Sequence, residues 1–188
     1  MIFVDVETSG LDSHKCAILS IGAVEYENPS NICYIKCAPW QGAYIDSKAL
    51  EVNGFNYEEI WTIPYTQRDA IIKFDKWVKS VDNNEEISGY NYQRFDDKFI
   101  KEAYKRELDS EPEIQWTIID VMDIYKKSDL YNHKGAKLDD LLDVLGLRSE
   151  PHPHHALRGA MLELEAYSRL TQKKSVFKNR VLYKKFHI

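Results

Sequence analysis

The chain has 188 residues, of which 44% are hydrophobic and 29% charged, and its formal net charge is −5. This composition is typical of a folded globular domain and excludes collagen-like and intrinsically disordered chains. The apolar runs are too short to cross a membrane, and the first residues form a strand-like segment without signal-peptide regions. Cys16, Cys33 and Cys37 are an odd number of cysteines without metal-ligand spacing. We therefore expect reduced thiols, a cytoplasmic location and no membrane association.

Secondary structure is predicted from the hydrophobic pattern and the turn residues. The predicted strands, which contain buried or alternating apolar residues, are 1–6, 18–27, 31–37, 86–90 and 114–120. The predicted helices, which have apolar residues at helical spacing, are 47–53, 65–81, 95–107, 121–126, 137–145 and 155–170. Strands first, followed by alternating helices and strands, indicate an α/β fold with helices packed on a mixed sheet.

The C-terminal end of the chain differs in charge from the rest. Residues 171–188 contain six lysine or arginine residues and no acid. We therefore divide the chain into one domain over 1–170 and a basic extension over 171–188. The extension either contacts nucleic acid or forms a solvated or partner-docking segment.

Two acids in the first strand are the first sign of a chemical function. Because side chains alternate along a strand, Asp5 and Glu7 project from the same face. Two carboxylates held this close repel, so one of them takes a proton or a cation lies between them. Mg²⁺ prefers such hard oxygen ligands. The alternative is that both acids simply face solvent at the end of a strand.

Longer motifs around these acids resemble the DEDDh exonucleases, a family with proofreading and oligoribonuclease members. Residues 5–12 (DVETSGLD) are similar to the first motif and 89–100 (GYNYQRFDDKFI) to the second. The second motif selects Asp96 over Asp97 as its acid, because Phe99 then takes the apolar position three residues later. Residues 138–147 (LDDLLDVLGL) are similar to the helix before the third motif. The resemblance extends over nearly the whole chain to about residue 170.

The third motif departs from the family pattern. Residues 154–160 (HHALRGA) match its histidine and small residues, but Gly159 stands where the family has an aspartate. If His155 is taken as the motif histidine instead, Ala160 falls at the acidic position and the remaining match is poorer. Neither alignment supplies a fourth carboxylate.

The resemblance implies a fold, a reaction and a set of site residues. The fold is ribonuclease H-like, with a central five-stranded mixed sheet flanked by helices, and the reaction is 3′-5′ exonucleolytic cleavage of single-stranded DNA or RNA. Asp5, Glu7 and Asp96 are the expected ligands of two Mg²⁺ or Mn²⁺ ions, or of one because of Gly159. His154 is the expected general base. The expected substrate-binding residues are Thr8, Ala49, Leu50, Phe55, Asn91 and Phe95.

Two of these interpretations have alternatives. Residues 47–55 (SKALEVNGF) resemble a helix that wedges an apolar residue against the terminal base, but an ordinary core-facing helix end fits equally well. His152, His154 and His155 form a short histidine cluster. These residues could be read as a zinc cluster. No cysteine or further histidine lies at a supporting spacing, however, which argues against a zinc site.

The missing aspartate predicts a slower enzyme. Loss of a supporting group at a metal site lowers activity by about 10–100-fold. Glu163 lies one helical turn beyond Gly159 and either reaches back into the site or faces solvent. The alternative function is an inactive nuclease-fold protein that binds nucleic-acid ends or a polymerase-like partner in replication or repair.

Overall fold

Five strands form one mixed sheet in the computed structural model, which describes residues 1–82, 85–113, 115–131, 133, 135–178 and 182–183. The strands in this part of the chain are β1 (Ile2–Thr8), β2 (Ile18–Glu25), β3 (Ile32–Lys36), β4 (Glu86–Gly89) and β5 (Thr117–Asp120). Their order in the sheet is β3-β2-β1-β4-β5. The pairs β1–β2 and β2–β3 are antiparallel, whereas β1–β4 and β4–β5 are parallel. The predicted five-stranded mixed α/β sheet is therefore confirmed.

Helices cover both faces of this sheet. Within the described residues they are α1 (Ser47–Asn53), α2 (Tyr57–Ile60), α3 (Gln67–Lys79), α4 (Asp96–Leu108), α5 (Val121–Lys127), α6 (Leu138–Val144) and α7 (Ala156–Gln172). One turn of 3-10 helix, Tyr92–Arg94, precedes α4. Ile2, Val4 and Val6 of β1 pack in the same cluster as residues of α3 and α4, whereas Phe3 packs with residues of α7. The alternation of β1 therefore directs Phe3, Asp5 and Glu7 toward α7.

Some predicted elements differ from the observed ones, and capping residues explain the differences in the helices. The predicted helix 65–81 begins at Gln67 because Thr66 and Asp69 form a capping box. The short helix α2 was missed, and the side chain of Asn56 caps it by accepting the N–H groups of Glu58 and Glu59. The predicted strand 114–120 is shorter in the structure, and Ile114 lies outside the described residues.

The segment after α7 folds back against the domain. Lys173 ends the helix in the left-handed conformation. Both oxygens of the Glu165 carboxylate then accept hydrogen bonds from the returning chain, and its Oε2 accepts the N–H groups of Val176 and Phe177 at 2.7 and 2.9 Å. Leu182 is fully buried in the cluster that contains α7. The division at residue 170 stays a prediction, and the basic residues Arg180, Lys184 and Lys185 lie outside the described residues.

None of the helices described here is both long enough and apolar enough to span a bilayer.

Candidate active site

The acid of the second motif is hydrogen-bonded to the backbone of β1. Asp96 Oδ1 accepts the N–H of Val6 at 3.0 Å, and Val6 lies between Asp5 and Glu7. β4 pairs with β1 only at Ile2 and Phe3, so the edge of β1 beyond them is open to the first turn of α4. The structure therefore brings Asp5, Glu7 and Asp96 together at this edge. Their roles as metal ligands stay a prediction.

Asp97 points to a different partner. Its Oδ2 lies 2.8 Å from Lys101 Nζ, one turn along α4. This pairing is in keeping with the choice of Asp96 from the spacing of Phe99.

A glycine in β2 allows α7 to approach the acids closely. Gly22 is opposite Asp5 in the β1–β2 register. A Cβ atom at Gly22 would lie 2.1 Å from the backbone nitrogen of Leu157, a distance that no real contact reaches. The first turn of α7 therefore packs against the sheet where side chains of Asp5 and Glu7 emerge.

The glycine of the third motif contacts Asp5 directly. A Cβ atom at Gly159 would lie 2.0 Å from Asp5 Oδ2. Residue 159 thus lies against Asp5 of β1, and the carboxylate of Asp5 fills the space into which a side chain at position 159 would extend. An aspartate at this position requires Asp5 to rotate.

Glu163 is buried beside the same acids. Only 4% of this residue is exposed. Burial raises the pKa of its carboxyl well above the usual range, while the nearby backbone N–H of Tyr90 opposes this shift, and Oε2 is buried without a hydrogen-bond partner. The interpretation of Glu163 as a solvent-facing acid is therefore wrong. The spacing of one helical turn from Gly159 was the signal that indicated the buried position.

Glu150 is an acid of the site that the sequence analysis missed. It lies in the loop before α7, where Oε1 accepts the N–H of His155 at 3.0 Å. Its Oε2 lies 3.6 Å from Nδ1 of His154, the predicted general base. Prolines and histidines alternate over residues 151–154 of this loop, so no periodic pattern shows which way Glu150 points.

Arg158 fixes this loop from the first turn of α7. Its buried guanidinium donates to the carbonyl oxygens of Pro151 and Pro153 at 3.1 and 3.2 Å. It also lies 4.0 Å from Glu150 Oε1. His154 and Glu150 are therefore held in place by a side chain adjacent to Gly159.

Burial and mutual repulsion shift the ionisation of these acids. The pKa of Asp5 is raised by burial and then by the charges of Glu163, Asp96 and Glu7. Burial also raises the pKa of Glu7, to which Glu150 and Asp96 add. The same cause, burial, raises the pKa of Asp96 and of Glu150 to about 7. The site therefore favours a bound proton or cation over a full set of bare negative charges.

The donor chemistry of the site suits a hard divalent cation. Its side chains offer carboxylate oxygens, which are the ligands of Mg²⁺ and Mn²⁺. No three His, Cys, Asp or Glu side chains of the described residues already lie close enough together to hold a metal ion. Side-chain rotation of Asp5 and its neighbours is thus required to complete a metal site.

The helix predicted to meet the terminal base is attached to this site through its last two residues, Val52 and Asn53. Asn53 Nδ2 donates to the carbonyl of Thr8 at 3.0 Å, and the His154 N–H donates to Val52 O at 2.9 Å. The Thr8 hydroxyl donates to Gly10 O at 2.7 Å and so stabilises the turn after β1. The segment 47–55 is therefore a neighbour of both the first and the third motif.

The apolar residues of this segment differ in exposure. Leu50 is 6% exposed and packs with Leu19 and Ile60, whereas Phe55 is only partly buried against this cluster. Ala49 is also partly exposed. The wedge role stays a prediction, with Ala49 and Phe55 more accessible than Leu50.

Two grooves with basic and aromatic residues lie beside the motifs. One, of about 350 Å³, is lined by Phe95, Arg94 and Lys98 of the second motif and by the turn residues 11–14. The backbone of Asn91 before it is left-handed, with a φ of 60°, and its N–H donates to Asp120 Oδ1.

The other groove, of about 730 Å³, runs along β3. Tyr34, Lys36, Tyr65 and Lys73 are among the residues that line it. Lys73 Nζ lies 3.2 Å from the centre of the Tyr65 ring. The ring of Tyr34 stacks on His155 at 4.2 Å, so this groove begins next to the histidine loop.

The mixed sheet with acids at its central strand and a helix packed over them defines a ribonuclease H-like nuclease fold. The chain belongs to the exonuclease family of the ribonuclease T type, whose family model matches residues 2–167.

Known proteins of this kind are similar to large parts of the chain. The 3′-5′ DNA exonuclease Cap18 of Escherichia coli is 34% identical over 116 residues, which cover 59% of this chain and 60% of Cap18. Ribonuclease T of Haemophilus influenzae is 28% identical over 116 residues, covering 56% of this chain and 51% of that protein. The matched region thus spans about half to three fifths of these curated relatives.

Solved structures show the same fold at lower identity. E. coli exonuclease I in complex with a dT13 oligonucleotide superimposes with a TM-score of 0.75 at 17% identity, over 92% of this chain and 41% of that chain. Exonuclease I from Methylocaldum szegediense gives a TM-score of 0.72 at 19% identity, with the same coverage of 92% and 41%.

Proposed function

We propose that this protein is a divalent-metal-dependent 3′-5′ exonuclease that shortens single-stranded DNA or RNA by one nucleoside monophosphate at a time. The observation that carries the proposal is the hydrogen bond from Val6 N–H to Asp96 Oδ1, which sets the third acid beside Asp5 and Glu7. Membership in the exonuclease family supports the reaction class.

In this proposal, Asp5, Glu7 and Asp96 hold Mg²⁺ or Mn²⁺. A bound cation of this kind stabilises charge on phosphoryl oxygens and favours ionisation of an attacking water. The oxygen of that water forms the new bond to phosphorus while the bond to the 3′ oxygen breaks. The departing 3′ oxygen takes a proton from solvent.

His154 accepts the proton of the attacking water at Nε2. Burial lowers the pKa of His154 below its usual value, so the imidazole is neutral and able to accept a proton at pH 7. Glu150 faces Nδ1 and orients the ring, which leaves Nε2 for the water. Arg158 maintains this arrangement through the loop carbonyl groups.

Single strands are the substrate that the surroundings of the site favour. Lysine and arginine side chains bind phosphates, and aromatic rings stack on unpaired bases. Both grooves beside the motifs combine these residue types. In this proposal, Thr8, Asn91 and Phe95 contact the substrate beside the first and second motifs. Ala49, Leu50 and Phe55 belong to the segment 47–55 that would meet the terminal base.

A second candidate function rests on Gly159. Since Asp5 Oδ2 fills the space above this glycine, the third motif contributes no carboxylate at its usual position. We infer a rate about 10–100-fold below that of a site with all its ligands. The limiting case is an inactive protein that holds nucleic-acid ends or a polymerase-like partner.

The two functions are distinguished by two measurements on one sample. A single strand labelled at its 5′ end is incubated with Mg²⁺ or Mn²⁺, and a gel shift is run in EDTA. The exonuclease predicts a ladder of products shortened from the 3′ end. Salt-sensitive binding without any metal-dependent loss of full-length strand would support the inactive protein instead.

A further inference from the structure

The third motif leaves a gap that one other side chain is placed to fill. Gly159 contacts Asp5 on the site-facing side of α7 and has no carboxylate. Glu163 lies four residues later on the same side of the helix. Four residues advance a helix by about 6 Å, and helical side chains lean toward the N-terminus. The extra methylene of glutamate extends its carboxylate toward Gly159.

The position of Glu163 is unusual for a glutamate inside a protein. The residue is 4% exposed, and its Oε2 is buried without a hydrogen-bond partner. Buried polar atoms in folded proteins nearly always have partners. A carboxylate oxygen without a partner in the chain therefore indicates a partner that binds from outside the chain. The carboxylate lies near the backbone N–H of Tyr90 at the end of β4, where the second motif begins.

The charges around Glu163 come from every element that surrounds the site. Asp5 on β1, Asp96 on α4, Asp120 at the end of β5 and Glu150 in the loop are all acidic. Arg158 lies on the side of the site where Glu7 and Glu150 are found. A cation shared by Glu163, Asp5 and Asp96 would relieve this repulsion and partner the free Oε2.

We propose that Glu163 replaces the aspartate that Gly159 lacks and serves as the fourth carboxylate of the divalent-cation site. The metal-binding position has thereby moved along α7 by one helical turn. This inference rests on the proposed function, because it requires that the acids of β1 and α4 bind a cation.

The test measures cation binding without substrate, by titrating the full chain with Mn²⁺ in a calorimeter. Glu163→Gln keeps the length and shape of the side chain but removes the negative charge. We expect this change to weaken Mn²⁺ binding by about 10–100-fold. Glu25→Gln is the matched control, because Glu25 is a buried acid at the other end of the sheet, opposite Ile2, and its carboxylate accepts from Asn31 Nδ2. Its change should leave Mn²⁺ affinity as it was.

A double variant tests the shift along the helix. Gly159→Asp combined with Glu163→Gln returns a carboxylate to the position that the family motif uses, which requires Asp5 to rotate. We expect the double variant to regain most of the Mn²⁺ affinity that Glu163→Gln loses. Melting temperatures without metal show whether each variant is folded.

Each outcome has a distinct meaning. If Glu163→Gln is folded and binds Mn²⁺ as tightly as the unchanged chain, Glu163 is a protonated structural acid and the inference is wrong. If Glu163→Gln leaves Mn²⁺ binding unchanged but Asp96→Asn abolishes it, the inference about Glu163 is wrong and the proposed function stands. If the unchanged chain binds no Mn²⁺ and cuts no strand, both the proposed function and this inference fall.

Discussion

The two sides of the candidate site are built in different ways. On the sheet side, Asp5, Glu7 and Asp96 are all present, and the backbone of β1 positions them. On the helix side, position 159 is a glycine, and the acids are Glu163 on α7 and Glu150 in the loop before it. Along a strand, only every second side chain points to a given face, and the pairing of the backbone determines where these side chains lie. A helix face offers an alternative one turn away, so its ligands are easier to exchange.

The largest expected effect is on the sheet side. Asp96→Asn should lower cleavage of a 5′-labelled strand by at least about 100-fold, because it removes a cation ligand. Asp97→Asn, whose partner is Lys101, should change the rate little. Equal losses in the two variants would show that the sheet side is not the reaction centre.

The next effect tests the histidine of the helix side. His154→Ala should lower the rate by about 100-fold or more, as is usual for a general base. Glu150→Gln should cost about 10-fold, since it affects only the orientation of the imidazole. Rate measurements across pH 5 to 9 test whether His154 acts as the general base. Activity should fall as the pH falls through a His154 pKa below its usual value.

A pH effect on stability is expected from the acids themselves. Burial raises the folded-state pKa of Asp96 and Glu150 to about 7, above that of the unfolded chain. Groups shifted upward stabilise the fold when protonated, and this stabilisation is lost as the pH rises through 7. In EDTA, the melting temperature should therefore fall between pH 5 and pH 8.

Divalent cations should reverse that loss. Mn²⁺ binds the deprotonated carboxylates of the folded state, so its stabilising effect should be larger at pH 8 than at pH 5. Thermal melts with and without Mn²⁺ at both pH values check this. Equal effects at the two pH values would mean that the ion binds elsewhere.

The smallest expected effect lies outside both sides of the site. Changing Lys36 and Lys73 to alanine removes two cations from the groove along β3. Affinity for a single strand should fall a few-fold, and the slope of log affinity against log salt should decrease by about 1.4 in magnitude for two lost phosphate contacts. The rate on a dinucleotide, which is too short to fill the groove, should hardly change.

Much of the architecture could be predicted from local patterns. Alternation in β1 predicted that Asp5 and Glu7 share a face, and the structure directs both toward α7. The predicted helix 47–53 was also correct, and Gly54 ends it in the left-handed conformation. α2 was missed because its four residues are too few for a periodic pattern.

The sequence by itself determined which acids this protein has, the strand face of Asp5 and Glu7, and the absence of a carboxylate at position 159. These properties follow from residue identity and from the short period of a strand. Only the tertiary structure decided that Asp96 meets Val6, that Gly22 admits α7, and that Glu150 and Glu163 are buried beside the strand acids. Such contacts join residues far apart in the chain, so they depend on how whole elements pack and not on any local spacing.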